Sequence, residues 1–241
     1  MIRATPRFAR FAASLRDSTS GLALTEFAFS LPILLTLGLF GLETANFAMA
    51  HLRISNIAMM TADNAARVRD SIDEADVIEL FTGAKMTGAG IDFAQNGRIV
   101  LSSLENSGTA QWIRWQRCDG ALNVAPAYGR PKTAAGADIT NGTEIYNSDR
   151  TTLATTGASS AAASAIPSTG MGPTGQQISS ATATAVMVAE VTYEYQPIMP
   201  NSFLDGRRIT YVSAFNVRQR VDQSIKKAGQ TTPRRCSTLQ A

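Results

Sequence analysis

Residues 27–42 read FAFSLPILLTLGLFGL, sixteen residues without a charge. Taken back to Leu22, the stretch is 21 residues long and Glu26 is its only ionisable group. A helix needs about 20 apolar residues to cross a hydrocarbon core, so this segment is long enough to span a membrane with one carboxyl to accommodate. The flanks orient it. Arg3, Arg7, Arg10 and Arg16 precede the segment, while only His51 and Arg53 follow closely. The positive-inside rule therefore keeps the start in the cytoplasm and sends the residues beyond position 45 outward.

The same arginines account for the overall charge. The chain of 241 residues has 22 Lys+Arg and 19 Asp+Glu. Four of those bases and one acid, Asp17, lie within residues 1–21, leaving 18 of each sign in the rest. A neutral body argues against nucleic acid as a partner, because binding a phosphate polyanion is built from many Lys/Arg contacts. Two cysteines and the single histidine, His51, cannot complete a four-ligand structural zinc site. A Ser-His-Asp or Cys-His arrangement would depend on His51, which falls where the apolar helix leaves the membrane and reads as an interfacial residue. Gly157, Gly170, Gly172 and Gly175 do not open a helix after a strand, and no GK[ST] follows them, so nucleotide binding is not indicated. The acids Asp138, Glu144 and Asp149 are scattered without helical spacing. The expectation is a structural, non-enzymatic protein with no catalytic, metal or cofactor residue and no small-molecule substrate.

Two processing readings compete at the N-terminus. Ala48-Met49-Ala50 offers a small-x-small signal-peptidase site, which would release a soluble periplasmic binding or hydrolytic domain beginning at His51. Against it, the apolar run exceeds an ordinary 7–15-residue signal core, and Glu26 and Glu43 bracket it. The other reading starts at Gly21. Gly21-Leu22-Ala23-Leu24-Thr25-Glu26-Phe27 resembles the cleavage region of type IV prepilins, where a basic leader ends in Gly and Glu stands fifth in the apolar helix. The continuation, with Pro32 in the apolar stretch and Gly41-Leu42-Glu43 after it, resembles TadE-like pseudopilins of tight-adherence (Flp) pilus systems. This likeness covers about residues 20–66.

The resemblance implies cutting by a prepilin peptidase after Gly21, with Leu22, Glu26 and Phe27 completing the processing region. It also implies that the freed Leu22 amine pairs with Glu26 of a neighbouring subunit. The implied partners are other pilus subunits and pseudopilins, the prepilin peptidase and the bacterial inner membrane, and the implied role is assembly or priming of a pilus for attachment. From the residues alone, a carboxylate in an apolar segment needs a partner or a place near the interface, so Glu26 snorkelling at headgroup depth stays open. An uncleaved membrane-anchored sensor is the third outcome.

Beyond the membrane, Phe47, Ala50, Ile54, Ile57, Thr61, Ala65, Val68 and Ile72 recur at three- and four-residue steps, one apolar stripe on a helix. The periodicity predicts that the helix continues until Gly83, Gly88 and Gly90 stop it, between residues 81 and 90. Strands are predicted at residues 98–104 and 110–117, forming a hairpin about Asn106-Ser107-Gly108, and at 187–195 and 209–217. In the third, Met187, Ala189, Val191, Tyr193 and Tyr195 alternate with residues that become polar, which reads as a sheet covered on one side. The segments WQRCDG and AEVTYEYQPIMP are loosely similar to C-terminal halves of TadE-like proteins.

The expected fold is α+β and pilin-like: a long N-terminal helix, transmembrane in its lower half, packed above on a small antiparallel sheet. Its parts are a leader at 1–21, a spanning segment at 22–45, an amphipathic continuation at 46–90 and a head at 91–241. Within the head, residues 134–184 are dominated by Ala, Ser, Thr and Gly and read as an exposed insertion. The triplet Asn141-Gly142-Thr143 fits a glycosylation pattern but is given no role. Cys118 and Cys236 are expected to pair in an oxidising periplasm, tying down the tail. The other possibility, a reactive thiol, needs an activating base that the sequence does not name.

Overall fold

A computed structural model describes residues 14, 20–106, 108, 110–140, 170–199, 203–227, 229 and 231–240. The arginines of the leader and residues 141–169, with the Asn141 triplet, Glu144 and Asp149, lie outside the described residues. The chain divides into two units, Met1–Asn46 and Phe47–Ala241.

Helix α1, Ser20–Arg67, runs for 48 residues and contributes to both units. In the first unit it carries Pro32, which cannot donate to the carbonyl four residues back. Thr36 Oγ1 donates to the Pro32 carbonyl at 2.7 Å. Leu22, Leu24, Phe27, Phe29, Ile33, Leu34, Leu37 and Leu42 are all exposed, at every angle round the axis. Among the described residues this is the one helix long and apolar enough to cross a membrane.

The predicted single helix to residues 81–90 does not form. α1 stops at Arg67, and Asp70 takes the left-handed conformation, φ 56°, which an α-helix cannot carry. A short strand β1, Asp70–Asp73, follows, and a second helix α2 runs over Glu74–Thr87. Its start is a reciprocal cap. Asp73 Oδ1 accepts from the Asp76 amide, and Asp76 Oδ2 accepts from the Asp73 amide, both at 2.9 Å. Apolar spacing persisted through this break because Ile72, Val77 and Phe81 bury into the same core as α1.

After a 3₁₀ turn, Ala89–Ile91, and a single helical turn α3, Phe93–Asn96, come strands β2, Gly97–Asn106, and β3, Gln111–Asp119. Strands β4, Ala185–Glu194, β5, Arg208–Asn216, and β6, Arg220–Lys226, complete the order. Four strands form one antiparallel sheet in the order β3-β2-β4-β5. Leu101 stands opposite Arg117 on one side and Ala189 on the other, and Ala189 stands opposite Ser213. The α+β class and all four predicted strands are therefore present. The parallel pair β1-β6 is an addition the sequence did not suggest.

One sheet face meets residues 50–66 of α1, together with α2. Ile99, Leu101, Trp115, Met187, Ala189, Val191, Tyr193, Tyr195 and Ile209 pack there with Ala50, Ile54, Ile57, Ala62 and Phe81. The other face was expected to meet solvent and does not. Leu104, Ile113, Val186 and Val188 pack with Met171 under partly buried Tyr128 and Ile178. Residues 170–184, read as exposed insertion, thus contribute a buried Met171 and a buried Ser180. Ser180 is held by Gln111, whose Nε2 donates to its carbonyl at 3.0 Å and whose Oε1 accepts its amide at 2.7 Å.

Polar side chains on this second face bind the backbone of the segments that cover it. Arg98 Nη1 donates to the Gly120 and Thr238 carbonyls at 2.7 and 3.0 Å, and its Nη2 to the Cys236 carbonyl at 2.9 Å. Glu190 accepts from the Ala127 amide at 2.9 Å. Gly120 must be glycine: its φ is +108°, and a Cβ there would lie 2.2 Å from the Gly97 carbonyl oxygen.

Candidate functional site

Gly21, Leu22, Glu26 and Phe27 occupy the first two turns of α1. Leu22 is 60% and Phe27 58% exposed, and Glu26 is exposed too. A four-residue step puts Leu22 and Glu26 on one helix face, and Thr25 Oγ1 donates to the Leu22 carbonyl at 2.8 Å. Added side-chain bulk at Gly21 would meet nothing within 4 Å. These residues form a contiguous, open surface at the start of an apolar helix. Glu43, the second acid of the motif, is buried.

No family model, no curated protein and no solved structure matches this chain.

His51 is not left at an open interface. Its ring stands edge-on to Phe47 and Tyr211, at centroid distances of 4.6 and 5.9 Å, and its Nδ1 lies 3.2 Å from the Tyr211 hydroxyl. It therefore helps hold α1 against β5. Ala50, where a signal peptidase would cut, is buried in the core of the second unit.

Cys118 and Cys236 form a disulfide. The tail also adds backbone bonds beside β3: the Cys118 amide donates to the Arg234 carbonyl at 3.0 Å, and the Gln240 amide to the Gly120 carbonyl at 3.2 Å. Arg98 adds its guanidinium to this tie, and burial lowers its pKa against the raising effect of Asp119. Asp119 also meets Lys85 and Arg234, at 3.2 and 3.4 Å.

Several charged groups of the second unit are buried and paired. Arg117 Nε donates to both carboxylate oxygens of Glu74, at 3.1 and 3.0 Å, with both side chains fully buried. Glu105, paired with Arg114, has its pKa raised by burial. Arg220 is lowered to about 10, again by burial, although Glu105, Asp76 and Asp222 pull it up. Burial raises Glu190 against the lowering amides of Ala127 and Tyr128. Among the described residues no cluster of three or more His, Cys, Asp or Glu is arranged to hold a metal ion.

Sequence reading did not anticipate a cleft of about 250 Å³ between α1 and α2, lined by Met60, Thr61, Asn64, Asp76, Glu79 and Gly83 among others. It was hidden because residues 74–87 were placed on a continuous helix. The signal that could have found it is the Asp73-x-x-Asp76 cap, which starts a second helix.

Proposed function

We propose that this chain is a TadE-like pseudopilin or minor pilin, cut after Gly21 and acting in assembly or priming of a tight-adherence pilus for surface attachment. The observation that carries the reading is the Gly21-to-Phe27 motif opening an uninterrupted apolar helix whose side chains are exposed all round. In this reading the first unit sits in the inner membrane and the second lies in the periplasm. Partner subunits draw the helix from lipid into a bundle, trading lipid contacts for helix packing. The Leu22 amine and the Glu26 carboxylate fix the register of that exchange. Release after Ala50 fits less well, since it would strip Phe47 and Ala50 from the core of the second unit.

The mature N-terminal residue, read by mass spectrometry from cells with and without prepilin peptidase, tests the proposal. Leu22 in the first and Met1 in the second is the expected pair of results. A mature chain beginning at His51, or one beginning at Met1 in both, would overturn it. The register role has its own test: Glu26→Ala should leave processing intact and reduce pilus assembly at least tenfold.

A further inference from the structure

The connection between β4 and β5, residues 195–207, holds large apolar side chains outward at one end of the second unit. Ile198 is 63% and Phe203 56% exposed. The other described phenylalanines of this unit, Phe47, Phe81, Phe93 and Phe215, are buried or half-buried. Phe203 stands out beside an anchored neighbour. Leu204 belongs to the core, the Arg207 amide donates to its carbonyl at 3.2 Å, and the Tyr195 amide donates to the Arg207 carbonyl at 2.8 Å. Apolar groups held outward together in this way mark a contact surface.

The position of the loop names the contact. β4 runs opposite to α1: at its start the Ala185 carbonyl accepts from the Val217 amide at 2.9 Å, and the next amide, Arg218, donates to Ala66 near the end of α1 at 3.3 Å. At its far end, the Tyr195 ring lies 4.9 Å from Phe47. The loop therefore turns where α1 enters the second unit, and there Met49 and Leu52 are also exposed, at 53% and 66%. Phe47 is only five residues beyond Leu42, the end of the apolar segment. Five residues of chain reach at most about 18 Å. With residues 22–42 in a bilayer, this end of the second unit stays beside the lipid surface in any arrangement of the two units.

We propose that Ile198 and Phe203 enter the boundary between headgroups and acyl chains of the same bilayer, making the β4–β5 loop a second, peripheral membrane contact. Apolar side chains can reach that depth while the irregular backbone stays among hydrated headgroups, where its polar groups are satisfied. Arg207 and Arg208 are matched in number by Asp205 and Glu194, and Glu194 pairs with Arg208 at 3.5 Å. The contact is therefore apolar and should survive high salt. It rests on the membrane placement of the first unit proposed above, and not on cleavage or pilus assembly.

The test places the full chain, with ¹³C-labelled methionine methyls, in nanodiscs of equimolar phosphatidylethanolamine and phosphatidylglycerol, one chain per disc. A gadolinium-chelating headgroup lipid broadens methyl resonances close to the surface. Met199 reports on the loop; Met59, 45% exposed and about 15 Å further along α1 than Met49, is the comparison. Met199 should broaden at least threefold more than Met59, at low and high salt alike. Ile198→Ser/Phe203→Ser should at least halve that effect while Met49 stays broadened and the melting temperature holds. A Met199 methyl broadened no more than Met59, or unchanged in the double variant, would overturn the proposal. Carbonate extraction of native membranes separates the two readings. A chain that resists extraction while Met199 stays sharp refutes the loop contact alone; a chain that is extracted refutes both. In the same membranes a photoactivatable phospholipid should label residues 195–207 as well as 22–42. Coupling of the loop to protein alone would overturn the assignment to lipid.

Discussion

The buried Glu74–Arg117 pair makes a sharp test of how the second unit is held together. Glu74 opens α2 and Arg117 projects from β3, so the pair locks the second helix to the sheet edge. Arg117 contacts both Glu74 oxygens through Nε and uses Nη1 on the Gln116 carbonyl at 3.0 Å. Replacing either residue by Met keeps volume but strands the opposite charge in the core. Breaking a buried pair from one side costs about 3–5 kcal/mol. For a unit of this size, about 2–4 °C of melting temperature per kcal/mol gives a fall of roughly 6–20 °C. The double variant Glu74→Met/Arg117→Met leaves no stranded charge and should recover more than about 1 kcal/mol of the summed single losses. Urea unfolding of the full chain in micelles, followed by the fluorescence of buried Trp115, measures all three. Arg67→Ala, which breaks the exposed pair with Asp63, should cost under about 1 kcal/mol as a control. Single Met variants no worse than that control, or a double variant as poor as the sum, would refute the reasoning.

Removing the disulfide with Cys118→Ser/Cys236→Ser frees a cross-link between residues 118 positions apart. The chain-entropy relation puts its loss at about 5 kcal/mol, and hydrogen exchange should rise first at residues 234–240 as the Arg98 contacts loosen. Burial raises the folded pKa of Glu190 above its unfolded value, so the folded state holds the proton more tightly. Stability should therefore be greatest below the unfolded carboxyl range and fall as pH rises towards the folded pKa, by at most about 1.4 kcal/mol per pH unit for this group. Glu190→Gln should flatten that part of the stability profile, read by urea melts across the acid range, with Glu105 still contributing in the same direction.

The sequence made the sheet legible strand by strand but misjudged its second face. Val186, Val188, Glu190 and Thr192 alternate with the apolar series of β4, and the drift to polar residues reads as solvent. In the fold those polar groups are themselves buried, because Glu190 binds the amide of Ala127 and Arg98 binds three carbonyls of the turn and tail. Periodicity reports which side a residue faces; it does not report whether water or backbone stands opposite. The end of α1 was missed for a related reason. Ile72 and Phe81 keep the apolar spacing while the chain leaves the helix at Asp70, and only the Asp73-x-x-Asp76 cap marks the restart. The disulfide was readable because just two cysteines exist; the cleft was not, since it depends on the packing of α1 beside α2.

One helix thus meets two different demands, and its side-chain volumes change accordingly. Residues 22–42 present Leu, Ile and Phe at all angles, which suits a surround that needs only apolar contact and no interlocking shape. From Ala50 onward the buried positions become small: Ala50, Ala58, Ala62, Ala65 and Ala66, with Ile54 and Ile57 between them. The space they leave is taken by large groups from the sheet and α2, including Trp115, Tyr193, Tyr195, Met187 and Phe81. Small against large is how a close-packed core fills without voids, so an enlarged alanine here forces the sheet away rather than adding favourable contact. Alanine also weakens the apolar stripe that a sequence displays, since it is at home on exposed, buried and lipid-facing surfaces alike. The change from Leu/Phe to Ala at the buried positions near residue 50 falls close to the boundary between the two units.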